Sequence, residues 1–600
     1  MAFEPTKEQE LAINEGGSII VSAAAGSGKT AVLVERVARI LTDKKHPVPA
    51  NKLLIVTFTN AAAAELRYRI EKRLNSEFEQ NPSDGYLQKQ KLLISDAKIC
   101  TIDSFCIDFI RENFELTGLE PSFKIADKAT LNSLYNFALS AVFNEHFDAK
   151  DDEFLKLLEA FGEKRDDECL RNCVEKMYEY SQHIPFPENW LDGIVKAYEA
   201  HASGDTTKWC SEAIEVAETL AVDAVLELRE ANALLSTSAA AYEKYAENYD
   251  YLLSFAEELI DVCKTGKWND VYNYLKSIDP PKCKNLSNDE KTDTVKASIK
   301  LRDSGKTKLS SAANLVYCLE EDANIEFSKM LPFVKKLIEL VKEYGSKISE
   351  KLNEKGLITF LTAEQTALSL LAEVKDGEIV RGKYADYFSD LFEAVLVDEY
   401  QDTNTLQDTL FYHLSDSGKK LFCVGDMKQC IYKFRGANPT NFLNKKEAAV
   451  LPKNRNSEDT LRIDLGCNFR SRKEVCEWIN SIFKKILYKD NSGFDYDDRE
   501  KLVSRADYPD NTEKKIESHY VDFESVSIDT EYEGRRYAEA QAVADTIKDI
   551  MSRPDFLKSE NGTHLRKTEY KDITILLRSL SDKGVIYAYS LKEYGIPVSL

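Results

Sequence analysis

At 600 residues, of which 43% are hydrophobic and 30% charged, the chain is too long for one core and too apolar to be disordered, so about three or four domains are expected. Eighty Lys and Arg against 102 Asp and Glu give a formal charge of −22; this excludes a surface coated in positive charge for indiscriminate nucleic-acid binding, but not a strand held in a groove by aromatic stacking. No run approaches the ~20 apolar residues of a membrane span, and the opening MAFEPTKEQE lacks a signal-peptide pattern, so a cytosolic protein without a membrane partner is expected.

The first predicted strand, Ser18–Ser22, runs into Ala23-Ala24-Ala25-Gly26-Ser27-Gly28-Lys29-Thr30 and then a helical pattern. That is a phosphate-binding loop in its required strand-to-helix context. Gly26 and Gly28 permit the tight turn that aims successive N–H groups at phosphates. Lys29 is expected to meet the β and γ phosphates of ATP, and the Thr30 hydroxyl to bind Mg²⁺. Short apolar runs at Leu53–Thr57 and Lys98–Ile102 continue the rhythm of a parallel α/β sheet.

From about Glu120 to Asp376 the strand-like runs almost vanish, and Ala, Leu, Glu, Lys and Tyr recur at helical spacing. Strands return at Ala394–Val397, Leu421–Val424 and Leu461–Leu465. The first ends in Asp398-Glu399, which is the form of a Walker B strand: Asp398 is the expected Mg²⁺ contact and Glu399 the base that orients the attacking water. Residues 1–120 and 376–473 are therefore expected to form one split nucleotide-binding domain, with 121–375 as a helical insertion. Residues 474–600 are read as the beginning of a second α/β domain, from a helix over 531–551 and strands at Asp572–Leu577 and Tyr594–Val598; ending there, the chain reads as a fragment. Lys282–Lys308 and Phe494–Lys514 are expected to be polar loops. The twelve cysteines include no C-x-x-C pair and read as free thiols.

With Asp398-Glu-Tyr-Gln-Asp-Thr403 in place, the sequence resembles the UvrD-like superfamily 1 helicases, and further motifs follow the family's order. Thr6-Lys-Glu-Gln9 is similar to the Q motif, Thr57-Phe-Thr-Asn60 to motif Ia, and Thr101-Ile-Asp-Ser-Phe105 to the next strand-contacting motif, with Asp103 where many relatives have His. Val424–Ala437 is similar to motif III and Asn468-Phe-Arg-Ser471 to motif IV.

The resemblance implies a RecA-like fold and an ATP-driven 3′–5′ DNA helicase. It implies that Gln9 reads the adenine edge, Phe469 stacks on adenine, Gln429 couples γ-phosphate to DNA, and Arg470 is an arginine finger. It implies DNA contacts by Phe58, Thr59, Asn60, Ser104, Phe105, Tyr432, Phe434 and Arg435. The flank Val21–Arg36, Pro185–Trp190 and Asp572–Arg578 most resemble the AddA family of helicase–nuclease subunits. That branch implies double-strand-break repair at single- and double-stranded DNA ends, an AddB-like partner, and a nuclease beyond Leu600. The segment Leu357–Glu364 keeps Phe360 and Glu364 of the family's acidic pattern but loses both Asp. A stand-alone UvrD/Rep/PcrA-type helicase and a catalytically incomplete DNA-binding subunit are the competing readings.

Overall fold

Runs such as Ile19-Ile-Val and Leu53-Leu-Ile-Val are apolar on consecutive residues, the pattern of strands covered on both faces. In the computed structural model, which describes residues 4–161, 166–204, 207–456, 458–488, 492–508, 516–522, 532–554, 557–560, 564–581 and 583–599, these runs build one parallel sheet. Its strands are β1 (Ile19–Ala23), β2 (Leu53–Thr57), β3 (Lys98–Thr101), β4 (Ala394–Val397), β5 (Leu421–Gly425) and β6 (Leu461–Leu465). Their order is β6-β1-β5-β4-β2-β3, and every pairing is parallel.

Alternate residues of each strand feed opposite faces. Ile20, Leu54, Val56, Val395 and Val397 pack with helices Ile102–Glu112, Phe360–Ser369 and Thr405–Leu414. Ile19, Val21, Leu53, Ile55, Leu396 and Phe422 pack with helices Lys29–Thr42 and Asn60–Gln80. The loops at the carboxyl ends of the strands are thereby gathered on one edge, where parallel α/β sheets bind ligands.

Between β3 and β4 the chain builds helices from Lys128–Ala149 to Glu320–Glu354 around two cores of their own. The segments that enter and leave this region pair as short parallel strands, Lys124–Ile125 with Leu357–Ile358. The expected boundary at 375 falls too late: Ala363, Ala367 and Leu368 are buried in the core of the sheet. A helical period looks the same whichever core receives its apolar face.

Lys282–Lys308 is also corrected, because Asp293–Leu315 is a helix capped by the Thr292 hydroxyl. Its polar sequence hides small residues that do the packing. Ser298 Oγ donates to Ala231 O at 2.7 Å, and a Cβ on Gly305 would lie 2.9 Å from Leu228 Cγ.

After β6, Cys467–Asn468 pairs in parallel with Val503–Ser504, inside the expected loop Phe494–Lys514, whose residues 509–514 lie outside the described residues. The helix expected over 531–551 spans Tyr532–Ser552. The strand expected at Asp572–Leu577 is not one: Tyr570–Asp572 is a 3-10 turn, and Ile573 and Ile575 pack against the cluster of Ile547, Leu591 and Ile596. A strand needs a backbone partner, and no described strand pairs with this segment or with Tyr594–Val598. No described helix is long and apolar enough to cross a membrane.

Candidate nucleotide and strand-binding site

The loop after β1 turns through Gly26 (φ +70°) and Gly28 (φ +81°), a left-handed backbone open to glycine without steric cost. Helix Lys29–Thr42 begins at once, so its free N–H groups face the loop. Glu399 follows β4 and is held at φ +51°, a conformation costing a non-glycine residue about 1–3 kcal/mol; its N–H donates to Asp398 Oδ1 at 3.0 Å. This turn brings Glu399 Oε2 to 2.5 Å from Lys29 Nζ. Gln401 Nε2 donates to the same oxygen at 3.0 Å.

Two further loops close on the site. After β5, Asp426 accepts from Gln429 Nε2 at 2.8 Å and donates its N–H to Gln401 Oε1 at 2.9 Å. After β6, Asn468 Nδ2 donates to Ala25 O at 2.7 Å, and the Phe469 N–H donates to Gly26 O at 2.8 Å. A Cβ on Gly26 would come within 2.9 Å of Arg470 Cβ, which places the expected finger beside the phosphate loop. Phe469, 43% exposed, lines a cavity of about 670 Å³ with Thr6, Lys7, Cys467, Arg499 and Arg505. This is room for a purine ring.

Gln9 is placed differently from the expectation. It is buried, its Oε1 accepts from Thr6 N–H at 2.8 Å, and its Nε2 donates to Ser27 O at 2.9 Å. Both ends of the amide brace the phosphate loop, so in this arrangement neither is presented to an adenine edge.

Burial, and then the neighbouring Glu399 carboxylate, push the Asp398 carboxyl up to about 6. Burial likewise raises Asp402 to about 6, again with Glu399 adding to the effect. Three carboxylates facing a single lysine fit an added cation, and an oxygen-only donor set of Asp398 and Thr30 suits Mg²⁺. Among the described residues no group of three or more His, Cys, Asp or Glu could hold a metal alone; nucleotide phosphates would have to complete the shell.

The strand-contacting candidates divide. Thr59 and Asn60 are exposed at the start of helix Asn60–Gln80, Phe58 is half-buried beside them, and Ser104 is half-buried, hydrogen-bonded to Thr101. Phe434 is 77% exposed, 6.0 Å from the Tyr432 ring, with Arg435 over both rings. Phe105 is the correction: at 2% exposure it stacks on Phe109 and meets Phe392 edge-on in the core. A ring so enclosed offers no face to a base.

Asp103 lies against Glu364, which burial pushes up to about 8 while Gln407 Nε2 donates to it at 2.8 Å. Two carboxyl groups in one dry site cannot both ionise, so the pair shares a proton. Sequence reading missed Gln401 and Asn468 as organisers of the site, although both stand inside the quoted motifs; an amide flanked by motif acids was the available signal.

A phosphate loop, a Walker B turn and two loops that close on them from one sheet edge define a P-loop ATPase core of the helicase type. The profile described as UvrD/REP helicase N-terminal domain matches residues 5–449, and the chain belongs to that family. Among curated relatives, the AddA-type ATP-dependent helicase/nuclease subunit of Acetivibrio thermocellus is 32% identical over 97% of this chain and 49% of its own length. The protein of the same name from Clostridium beijerinckii is 33% identical over 99% of the chain and 49% of its length; that of Clostridium perfringens strain 13 is 33% identical over 100% and 50%. The chain spans about half the length of these relatives.

Proposed function

We propose that the chain is the ATP-driven motor of a DNA helicase–nuclease subunit of the AddA kind, moving 3′ to 5′ on one strand during double-strand-break repair with an AddB-like partner. The observation that carries this reading is the Lys29–Glu399 contact, made between the phosphate loop and a Walker B turn whose next hydrogen bonds lead to Gln429. The naming of the relatives as helicase/nuclease subunits supports the branch, and the nuclease then belongs to the half of those proteins that this chain does not span.

In this reading Lys29 exchanges Glu399 for the β and γ phosphates when ATP arrives. Glu399, released, orients water for in-line attack. Arg470 neutralises charge on the transferred phosphoryl group. Asp398 and Thr30 would hold Mg²⁺, which supplies Lewis-acid neutralisation of the phosphate oxygens. Gln429, fixed by Asp426, senses the γ-phosphate and passes its loss to the Tyr432–Phe434–Arg435 turn, where bases stack.

ATP turnover by this chain, with and without single-stranded DNA, tests the proposal against the Lys29→Ala variant. Turnover that DNA stimulates and the variant loses supports it; turnover that survives Lys29→Ala sinks it.

A further inference from the structure

The hydrogen bonds that leave the Walker B carboxylate do not end within the sheet. Glu399 is joined to Gln401, and Gln401 to the Asp426 N–H. Asp426 holds Gln429 through one oxygen and Lys428 Nζ through the other, each at 2.8 Å. Lys428 in turn donates to Glu500 Oε2 at 2.7 Å, while the other Glu500 oxygen takes Lys446. The Lys428, Lys446 and Glu500 side chains are 6%, 6% and 8% exposed.

Lys428 lies in the turn after β5 and Lys446 on helix Pro439–Ala448, both on the sheet side of the cleft. Glu500 comes from outside the sheet, on the loop between helix Lys473–Ile486 and Val503–Ser504. The same outer segment carries Asn468 and Phe469, whose bonds to Ala25 and Gly26 seat it on the phosphate loop. Without Glu500 two nearly dry ammonium groups would share the single Asp426 carboxylate, an arrangement that low-dielectric surroundings strongly disfavour. The charges of the sheet-side turn are therefore balanced only while the outer segment is seated.

We propose that Glu500 is a positioning residue that links nucleotide to strand: it clamps Lys428 and Lys446, and so keeps the Asp426–Gln429 turn in register with Glu399 only when the outer segment rests on the phosphate loop. This inference depends on the ATP- and DNA-linked function proposed above. A contiguous network alone does not establish coupling, which is a difference in binding free energies.

The experiment is fluorescence anisotropy of a labelled oligothymidylate, with and without a non-hydrolysable ATP analogue and Mg²⁺, for the wild type, Glu500→Gln, Lys446→Gln and the double variant. The wild type is expected to change strand affinity with analogue by a factor in the usual range of about 5- to 150-fold. In Glu500→Gln that factor falls to near one while analogue-free strand affinity holds within about threefold, and the double variant is no worse than Glu500→Gln because the two act as one unit. Should Glu500→Gln fail to fold, Lys446→Gln, which keeps the Lys428 contact, is expected to lower the same factor.

An unchanged factor in a folded Glu500→Gln protein, or equal loss of affinity with and without analogue, overturns the proposal and leaves the motor reading intact. Strand binding by the wild type that ignores the analogue also overturns the coupling alone. No strand binding by the wild type overturns both.

Discussion

Lys29 and Glu399, 370 positions apart in the chain, meet at 2.5 Å. The pair therefore occupies the ammonium that ATP needs, and holds the base away from a water until the phosphates displace it. Lys29→Ala is expected to lower turnover by about 10²–10³-fold, the range for removing one preorganised group that meets transition-state charge. The melting temperature should change little, since the fold's cores do not involve this side chain. Steady-state turnover and a thermal melt on the same preparation check both statements.

Glu399→Gln keeps the size of the side chain and a hydrogen-bonding oxygen for Lys29 but removes the base. Turnover is expected to fall by about 10²–10⁴-fold, with ATP-analogue binding retained or tightened. A variant that turns over at the wild-type rate would assign the water-orienting role elsewhere.

Phe434→Ala removes the most exposed ring of the Tyr432–Phe434–Arg435 turn. Base stacking is worth about 1–3 kcal/mol per base, so single-strand affinity should fall about 5- to 150-fold. Basal turnover without DNA should hold. Oligothymidylate titrations distinguish this from a folding defect.

Phe105→Ala should behave in the opposite manner. Its ring is enclosed by Phe109 and Phe392, and truncating a buried Phe costs about 3–5 kcal/mol through lost contacts and a cavity. Denaturant unfolding should show that loss. Strand affinity measured well below the melting transition should be close to wild type; a large specific loss would restore Phe105 to the strand site.

Glu364 gives a pH dependence with a definite sign. Its folded-state value is raised from 4.5 to about 8, first by burial, so the folded protein holds a proton that the unfolded chain releases. The contribution is fully present below the unfolded value near 4.5 and is lost as pH rises through about 8. Melting temperatures from about pH 5 to 9 should therefore fall more steeply for the wild type than for Glu364→Gln, which keeps the neutral form at every pH. Parallel curves would mean that Glu364 is ionised in the folded state.

Much of the site was legible because its requirements are local. A loop that must wrap phosphates needs glycines at Gly26 and Gly28 and a lysine next in sequence, and a strand covered on both faces must be apolar throughout, so β1 and the Asp398–Glu399 turn could be read from consecutive residues. What tertiary structure alone decided is which way a side chain faces and what it meets there. Phe105 and Phe434 are both motif aromatics; one is enclosed because Phe392, from a distant part of the chain, packs against it, and the other projects from an exposed turn. Glu500 reads as one acid in a polar stretch until Lys428 and Lys446 are brought to it. Such contacts depend on the packing of distant segments, and neither period nor motif spacing carries that information.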